Sequence, residues 1–188
     1  MNDFILSVMK KIIYYVACSV DGYISGLDGD VSQFVYTGKA VERYLEDLKS
    51  FQTVIMGRNT YEFGYKFGVK PGEPSPVYAH MKHYIFSDTM SFETHNAQVE
   101  IRKLVADEID RIKTDSPTDI YLCGGGKFAG WLLENQKIDV LKIKLNPLVV
   151  GQGRKLFEGL ETPYHLQLES NHVFEDGMQI ITYRIGYY

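Results

Sequence analysis

The sequence has little cysteine, and what it has is not spaced for chemistry. Its two cysteines, Cys18 and Cys123, lie far apart in apolar runs. With no Cys-x-x-Cys and no paired Cys/His spacing, a zinc motif or a dithiol redox motif is excluded. They read as buried core thiols in a reducing cytoplasm. Long apolar runs are missing too, since nothing approaches the roughly eighteen consecutive apolar residues of a membrane helix. Residues 1–9 hold a short apolar stretch without a basic leader or a small-residue cleavage site, and it runs into Lys10 and Lys11. This is expected to be a loose tail and not a secretory signal, with a folded domain over residues 10–188. An excess of positive charge is also absent. The formal net charge is −4 and the 20 Lys and Arg residues are scattered, so no basic footprint for nucleic acid exists. Of the five histidines, His80 and His83 stand three apart without a third ligand in register. No metal site is expected, and both read as surface or packing residues.

What is present is an alternation of buried strands and helices, expected of one α/β domain in 188 residues. Ile12 to Cys18 is a nearly continuous apolar run, the pattern of a central strand in a parallel sheet. Val41, Tyr44, Leu45, Leu48 and Phe51 recur at helical spacing and predict a first helix. Thr53 to Gly57 reads as a second buried strand, followed by Asn59-Thr60-Tyr61-Glu62 in the form of a capping box. His83 to Ser87 reads as a strand and Ala106 to Lys113 as a short helix. Asp119 to Cys123 is a strand entering Gly124-Gly125-Gly126, after which Phe128, Trp131 and Leu132 share one helical face. Val140 to Val150, Tyr164 to Glu175 and Gln179 to Tyr188 are strand-like, and Glu175-Asp176-Gly177 supplies a hairpin turn. The expected architecture is a mostly parallel central sheet with helices on both faces and an antiparallel C-terminal hairpin.

Two strand–glycine–helix turns carry the chemical signal. A dinucleotide pyrophosphate is doubly negative, and a helix N-terminus offers free N–H groups and a positive dipole end. At the first turn Gly57 permits a tight bend, Arg58 adds a cation, and Asn59 and Thr60 can cap the helix or meet a phosphate. At the second, Gly124, Gly125 and Gly126 admit a ligand close to the backbone, with Lys127 and Phe128 opening the helix behind them. Either turn alone is ordinary strand termination. Both together, at strand C-terminal ends, point to a cofactor site. Neither is Gly-x-Gly-x-x-Gly, so the usual Rossmann fingerprint is absent.

In order and spacing, Val16-Ala17-Cys18-Ser19-Val20-Asp21-Gly22, Val54-Ile55-Met56-Gly57-Arg58-Asn59-Thr60-Tyr61-Glu62 and Tyr121-Leu122-Cys123-Gly124-Gly125-Gly126 resemble the three signature strands of dihydrofolate reductases. The run from Asp139 through Pro147, Gly151 and Gly153 to Leu156 and Phe157 is more similar to the reductase domain of riboflavin biosynthesis, which shares that fold. The resemblance covers roughly residues 10–188. It implies a dihydrofolate reductase-like fold and an NADPH-dependent oxidoreductase, with NADH left open. The Ala17 backbone would meet the nicotinamide carboxamide and Ile24 would border the ring. Gly57, Arg58, Asn59 and Thr60 would hold the pyrophosphate and adenosine side, opposite Gly124 to Gly126. Ser87 and Asp88 fall where the family reads the adenosine ribose. A carboxylate at Asp88 would repel a 2′-phosphate, which would leave the NADP preference to Arg58.

The substrate half departs from the family. Dihydrofolate reductases place a carboxylate on the first helix against the pteridine, but ungapped counting puts Val41 there. Glu42 follows one residue later, rotated by about 100° onto the flank with Glu46 and Lys49. Glu42 and Asp21 are therefore weak proton-donor candidates, and Asp21 and Val41 the expected substrate neighbours. The Asp21-Gly22 pair also reads as a simple turn. The expected reaction is hydride transfer to a carbonyl or imine of a small pyrimidine- or pterin-like heterocycle, with folate itself disfavoured. One alternative is 5-amino-6-(5-phosphoribosylamino)uracil reduction in riboflavin biosynthesis, and another is a non-catalytic nucleotide-binding protein of the same fold. The aromatic C-terminal strands would leave an open sheet edge, and the riboflavin-type relatives pair, so a homodimer is expected.

Overall fold

The computed structural model describes residues 9–187, so residues 1–8 of the expected tail and Tyr188 lie outside the described residues. Ten strands are formed: β1 Ile12–Ser19, β2 Tyr23–Ser25, β3 Thr53–Gly57, β4 Lys82–Phe86, β5 Val99–Arg102, β6 Ile120–Gly124, β7 Val140–Asn146, β8 Arg154–Lys155, β9 His165–Val173 and β10 Gln179–Gly186. Eight of them build one sheet in the order β5-β4-β3-β6-β1-β7-β10-β9. The first six run parallel, and β10 and β9 complete the sheet antiparallel.

The apolar run of β1 places it between β6 and β7, where both faces are covered. Its alternate side chains feed two cores. Tyr15, with Val54, Met56 and Tyr121, meets Leu48 and Tyr61 from the helices α1 (Lys39–Leu48) and α2 (Arg58–Phe63). Ile12 and Tyr14, with Ile55 and Leu122, meet Ile109, Phe128 and Leu132 from α3 (Ala106–Asp115) and α4 (Gly126–Glu134) on the opposite face. The helices thus flank the parallel sheet as its two-sided burial requires. The Glu175-Asp176-Gly177 turn closes the β9–β10 hairpin, with Gly177 at φ 82° donating its N–H to the Phe174 carbonyl.

Several expectations need correction. Helix α2 begins at Arg58 with Gly57 as its N-cap, so Asn59 lies inside the helix and no Asn59–Glu62 capping box forms. Glu62 instead pairs with Arg58 one turn back, Oε1 to Nε 2.8 Å. Leu45 is exposed rather than on the buried stripe of α1, because Ala40, Tyr44 and Leu48 define that face. Strand β7 stops at Asn146, where Pro147 removes a ladder donor, and does not reach Val150. Trp131 packs against the core as its helical face predicts, but it is only half-buried and also lines a surface cavity of about 570 Å³ with Lys127 and Glu158. Strands β2, β5 and β8 have no counterpart in the sequence reading.

Candidate functional site

Parallel pairing brings the C-terminal ends of β1, β6, β3 and β4 to one sheet edge, and the glycine turns sit there side by side. Strands β3 and β6 are neighbours with Met56 opposite Gly124. The Gly124–Gly125 peptide is cis and Gly124 has φ 134°. A Cβ on Gly125 would lie 3.0 Å from the Thr60 hydroxyl, so the two turns touch. The N-caps of α2 and α4 are Gly57 and Gly125, and neither helix start is closed by a side-chain cap. The first N–H groups of both helices therefore lack an intrahelical acceptor, and both helix starts lie at the same sheet edge.

Some of these glycines serve packing as well. A Cβ on Gly57 would come 3.2 Å from that of Phe128, whose buried ring stacks on Phe86 at 4.9 Å. The Phe128 side chain thus belongs to the core, leaving its N–H to the edge. Gly126 lies against the backbone around Lys155, where a Cβ would stand 2.2 Å from a carbonyl oxygen. Arg58 donates from Nη1 to Thr89 Oγ1 at 3.0 Å, and Lys127, Asp88 and Asn59 are exposed. Ser87 follows β4, and its hydroxyl accepts the N–H groups of Thr89 and Met90. Ala17 and Ile24 are half-buried on β1 and β2.

Asp21 has a structural occupation. Its carboxylate accepts hydrogen bonds from the Ser19 hydroxyl at 2.6 Å and from the N–H groups of Val150 and Gly151 at 3.0 and 2.7 Å. These donors, the Ser19 hydroxyl foremost, pull its pKa down to about 2. A carboxylate so held stays ionised at neutral pH and suits an anchor, not a proton donor. Glu42 is exposed on the flank of α1 and Val41 is half-buried.

The sheet face beneath α1 holds groups that sequence reasoning missed. Asp47, a half-buried helix carboxylate, accepts from Lys142 Nζ at 2.6 Å, Arg43 Nε at 2.8 Å and the Tyr15 hydroxyl at 3.2 Å. Burial opposes its ionisation, but the hydrogen bonds from Lys142 and Arg43 prevail and hold its pKa below the usual value. Two residues nearer the C-terminal edge, Ala17 of β1 stands opposite Lys144 of β7. Lys144 is 7% exposed, donates to the Val35 carbonyl at 3.2 Å, and has Nζ 5.5 Å from the centre of the Tyr44 ring. Tyr44 shares a 2.6 Å hydrogen bond with Tyr121, and Tyr78 meets the Cys123 thiol at 3.4 Å. Ala17, Tyr44, Tyr78 and Cys123 are half-buried along this face. The polar alternation Lys142, Lys144, Asn146 along an apolar strand was the available signal. Among the described residues no cluster of three potential metal ligands occurs, and no helix is long and apolar enough to cross a membrane.

Fold and edge together define a dihydrofolate reductase-like domain. The chain superposes on an Enterococcus faecalis dihydrofolate reductase complexed with NADP(H), TM-score 0.63 at 14% identity, over 96% of this chain and 100% of that one. It superposes on a riboflavin-biosynthesis-like protein of Shewanella sp. PV-4 with TM-score 0.78 at 22% identity, over 94% of this chain and 99% of that one. More particularly, residues 10–182 match the RibD C-terminal domain, and the chain belongs to that family. It is also similar to the uncharacterized protein YyaP of Bacillus subtilis (strain 168), 23% identical over 180 residues, covering 93% of this chain and 94% of the relative.

Proposed function

We propose that the chain is a reductase that binds NADPH along the C-terminal edge of β1, β6, β3 and β4 and delivers hydride to a carbonyl or imine of a small heterocycle. The observation that carries this reading is the contact of two uncapped glycine turns on adjacent strands, with the Arg58 guanidinium beside them. Their N–H groups suit a pyrophosphate, and Arg58 suits a 2′-phosphate. The Lys127 N–H would add to the first, and the Ser87–Asp88 turn would border the ribose. The bound nicotinamide supplies the hydride. Ala17 and Ile24 would position its ring, and the face beneath α1 would receive the substrate and limit water.

Titration of the purified protein with NADPH and NADH tests the reading, and absence of binding of either at millimolar concentration overturns it. The alternative, reduction of 5-amino-6-(5-phosphoribosylamino)uracil, predicts NADPH consumption with that compound. A non-catalytic nucleotide binder predicts binding without turnover on any pterin, pyrimidine or simple carbonyl.

A further inference from the structure

Most half-buried lysines of the described residues are explained by a carboxylate. Lys113, 8% exposed, has Asp139 at 2.8 Å, Lys137 has Asp110 at 2.7 Å, and Lys142 has Asp47 at 2.6 Å. Lys144 is as deeply buried as Lys113 and has no ion pair among the described residues. Its ammonium carries three donors, and the Val35 carbonyl takes one. Burial disfavours its charge and lowers its pKa. In the fold the group fastens the Val35 carbonyl, whose own N–H is taken by Asn146 Oδ1 at 2.9 Å, and this leaves two of its donors without a partner among the described residues. Its neighbours across the sheet are Ala17 and Ile180, and the Tyr44 ring lies against it.

The position is telling. Lys144 stands opposite Ala17, the residue expected beside the nicotinamide, and beside the half-buried tyrosine-lined face. The helix carboxylate that would bind an amidine is replaced by Val41, and Asp47 is already taken by two cations. Among the described residues named on this face, the charge without an ion-pair partner is therefore a donor, Lys144. We propose that Lys144 recognises the substrate by donating from Nζ to a carbonyl or enolate oxygen on the ring edge, and so selects oxygen-bearing heterocycles over amidine-bearing ones. This rests on the reductase reading for the placement of the ring next to the cofactor. An amidine would set N–H groups against N–H groups, which penalises it twice: by repulsion and by unmet donors.

Calorimetric titration with two small probes tests the assignment. Barbiturate is a planar pyrimidine whose oxygens carry a negative charge at neutral pH, and 2,4-diaminopyrimidine presents N–H donors on the same ring. The wild-type protein is expected to bind barbiturate more tightly, and K144M to lose about tenfold in barbiturate affinity while its affinity for diaminopyrimidine stays level or rises. Structural damage would weaken both probes alike. K144Q, which keeps a donor without the charge, gives the same comparison should K144M fold poorly. Equal barbiturate affinity in wild type and variant, or preference of the wild type for diaminopyrimidine, overturns the proposal. NADPH titration of the same samples separates the two claims: if barbiturate binding depends on Lys144 while no nicotinamide nucleotide binds, recognition by Lys144 stands and the reductase reading falls.

Discussion

His83 illustrates what one buried side chain does to the whole. Its Nε2 accepts the Ser75 N–H at 3.2 Å, its Nδ1 lies 2.9 Å from the Met81 carbonyl, and its ring stacks on Tyr78. This requires the neutral imidazole protonated on Nδ1. Burial pushes its pKa down to about 4, from an ordinary value of 6.5. Below pH 6.5 the unfolded chain takes up a proton that the folded one refuses. Its contribution is therefore full above pH 6.5 and lost as pH falls towards 4, amounting to about 3 kcal/mol. Urea melts at pH 7.5 and 4.5 are expected to show this loss, and His83→Asn to flatten it; an unchanged slope would contradict the assignment. Arg58 makes a second prediction at this scale. Arg58→Gln is expected to weaken NADPH about tenfold and NADH less, as read by nucleotide titration. Equal losses would remove Arg58 from the 2′-phosphate.

Among the elements, α4 is the most constrained. A Cβ on Gly130 would stand 1.9 Å from the Glu158 carbonyl oxygen, so the 154–158 segment lies directly on the helix. Alanine normally gains about 1 kcal/mol over glycine in a helix, yet here the overlap should prevail. Gly130→Ala is expected to destabilise by about 2 kcal/mol, lowering Tm by about 4–8 °C in a calorimetric scan. A rise in Tm would show that the segment yields. This scale also shows what was legible in the sequence. The central strands and helices announced themselves through long apolar patterns, and the two glycine turns were found at their ends. Strand β8 is only Arg154–Lys155, and β5 is a four-residue edge, so neither has enough period to read. The polar groups beneath α1 were not legible because Lys142 and Lys144 look like a solvent face in a local reading. Only the pairing of β7 with β1 and the crossing of α1 cover them. The stripe on α1 likewise hid Asp47, whose polarity is met by partners about 32 and 95 residues away.

At the scale of the molecule, the sheet is covered along its parallel part and bare at one end. Every residue of β9 is exposed, including Leu166, Leu168 and Val173. It is the edge strand of the sheet, a surface that favours pairing. We infer that a second copy covers it, giving the homodimer expected from the open edge. Leu166→Lys with Leu168→Lys is expected to yield a monomer in light scattering, with the wild type dimeric at micromolar concentration. A monomeric wild type would refute the dimer.

The segment after β7 ties together two neighbouring turns of the candidate edge, those after β1 and β6. Asp21 holds Val150 and Gly151, the Leu156 N–H reaches the Gly22 carbonyl, the Tyr14 hydroxyl donates to Leu156 O, and the Glu158 N–H reaches Gly126. The exit of β1 and the entry of α4 are thereby spliced into one frame, with the 150–158 segment as a strut that fixes the spacing of the two turns. A ligand held by both would meet groups already in place and would avoid much of the entropy loss that ordering them entails.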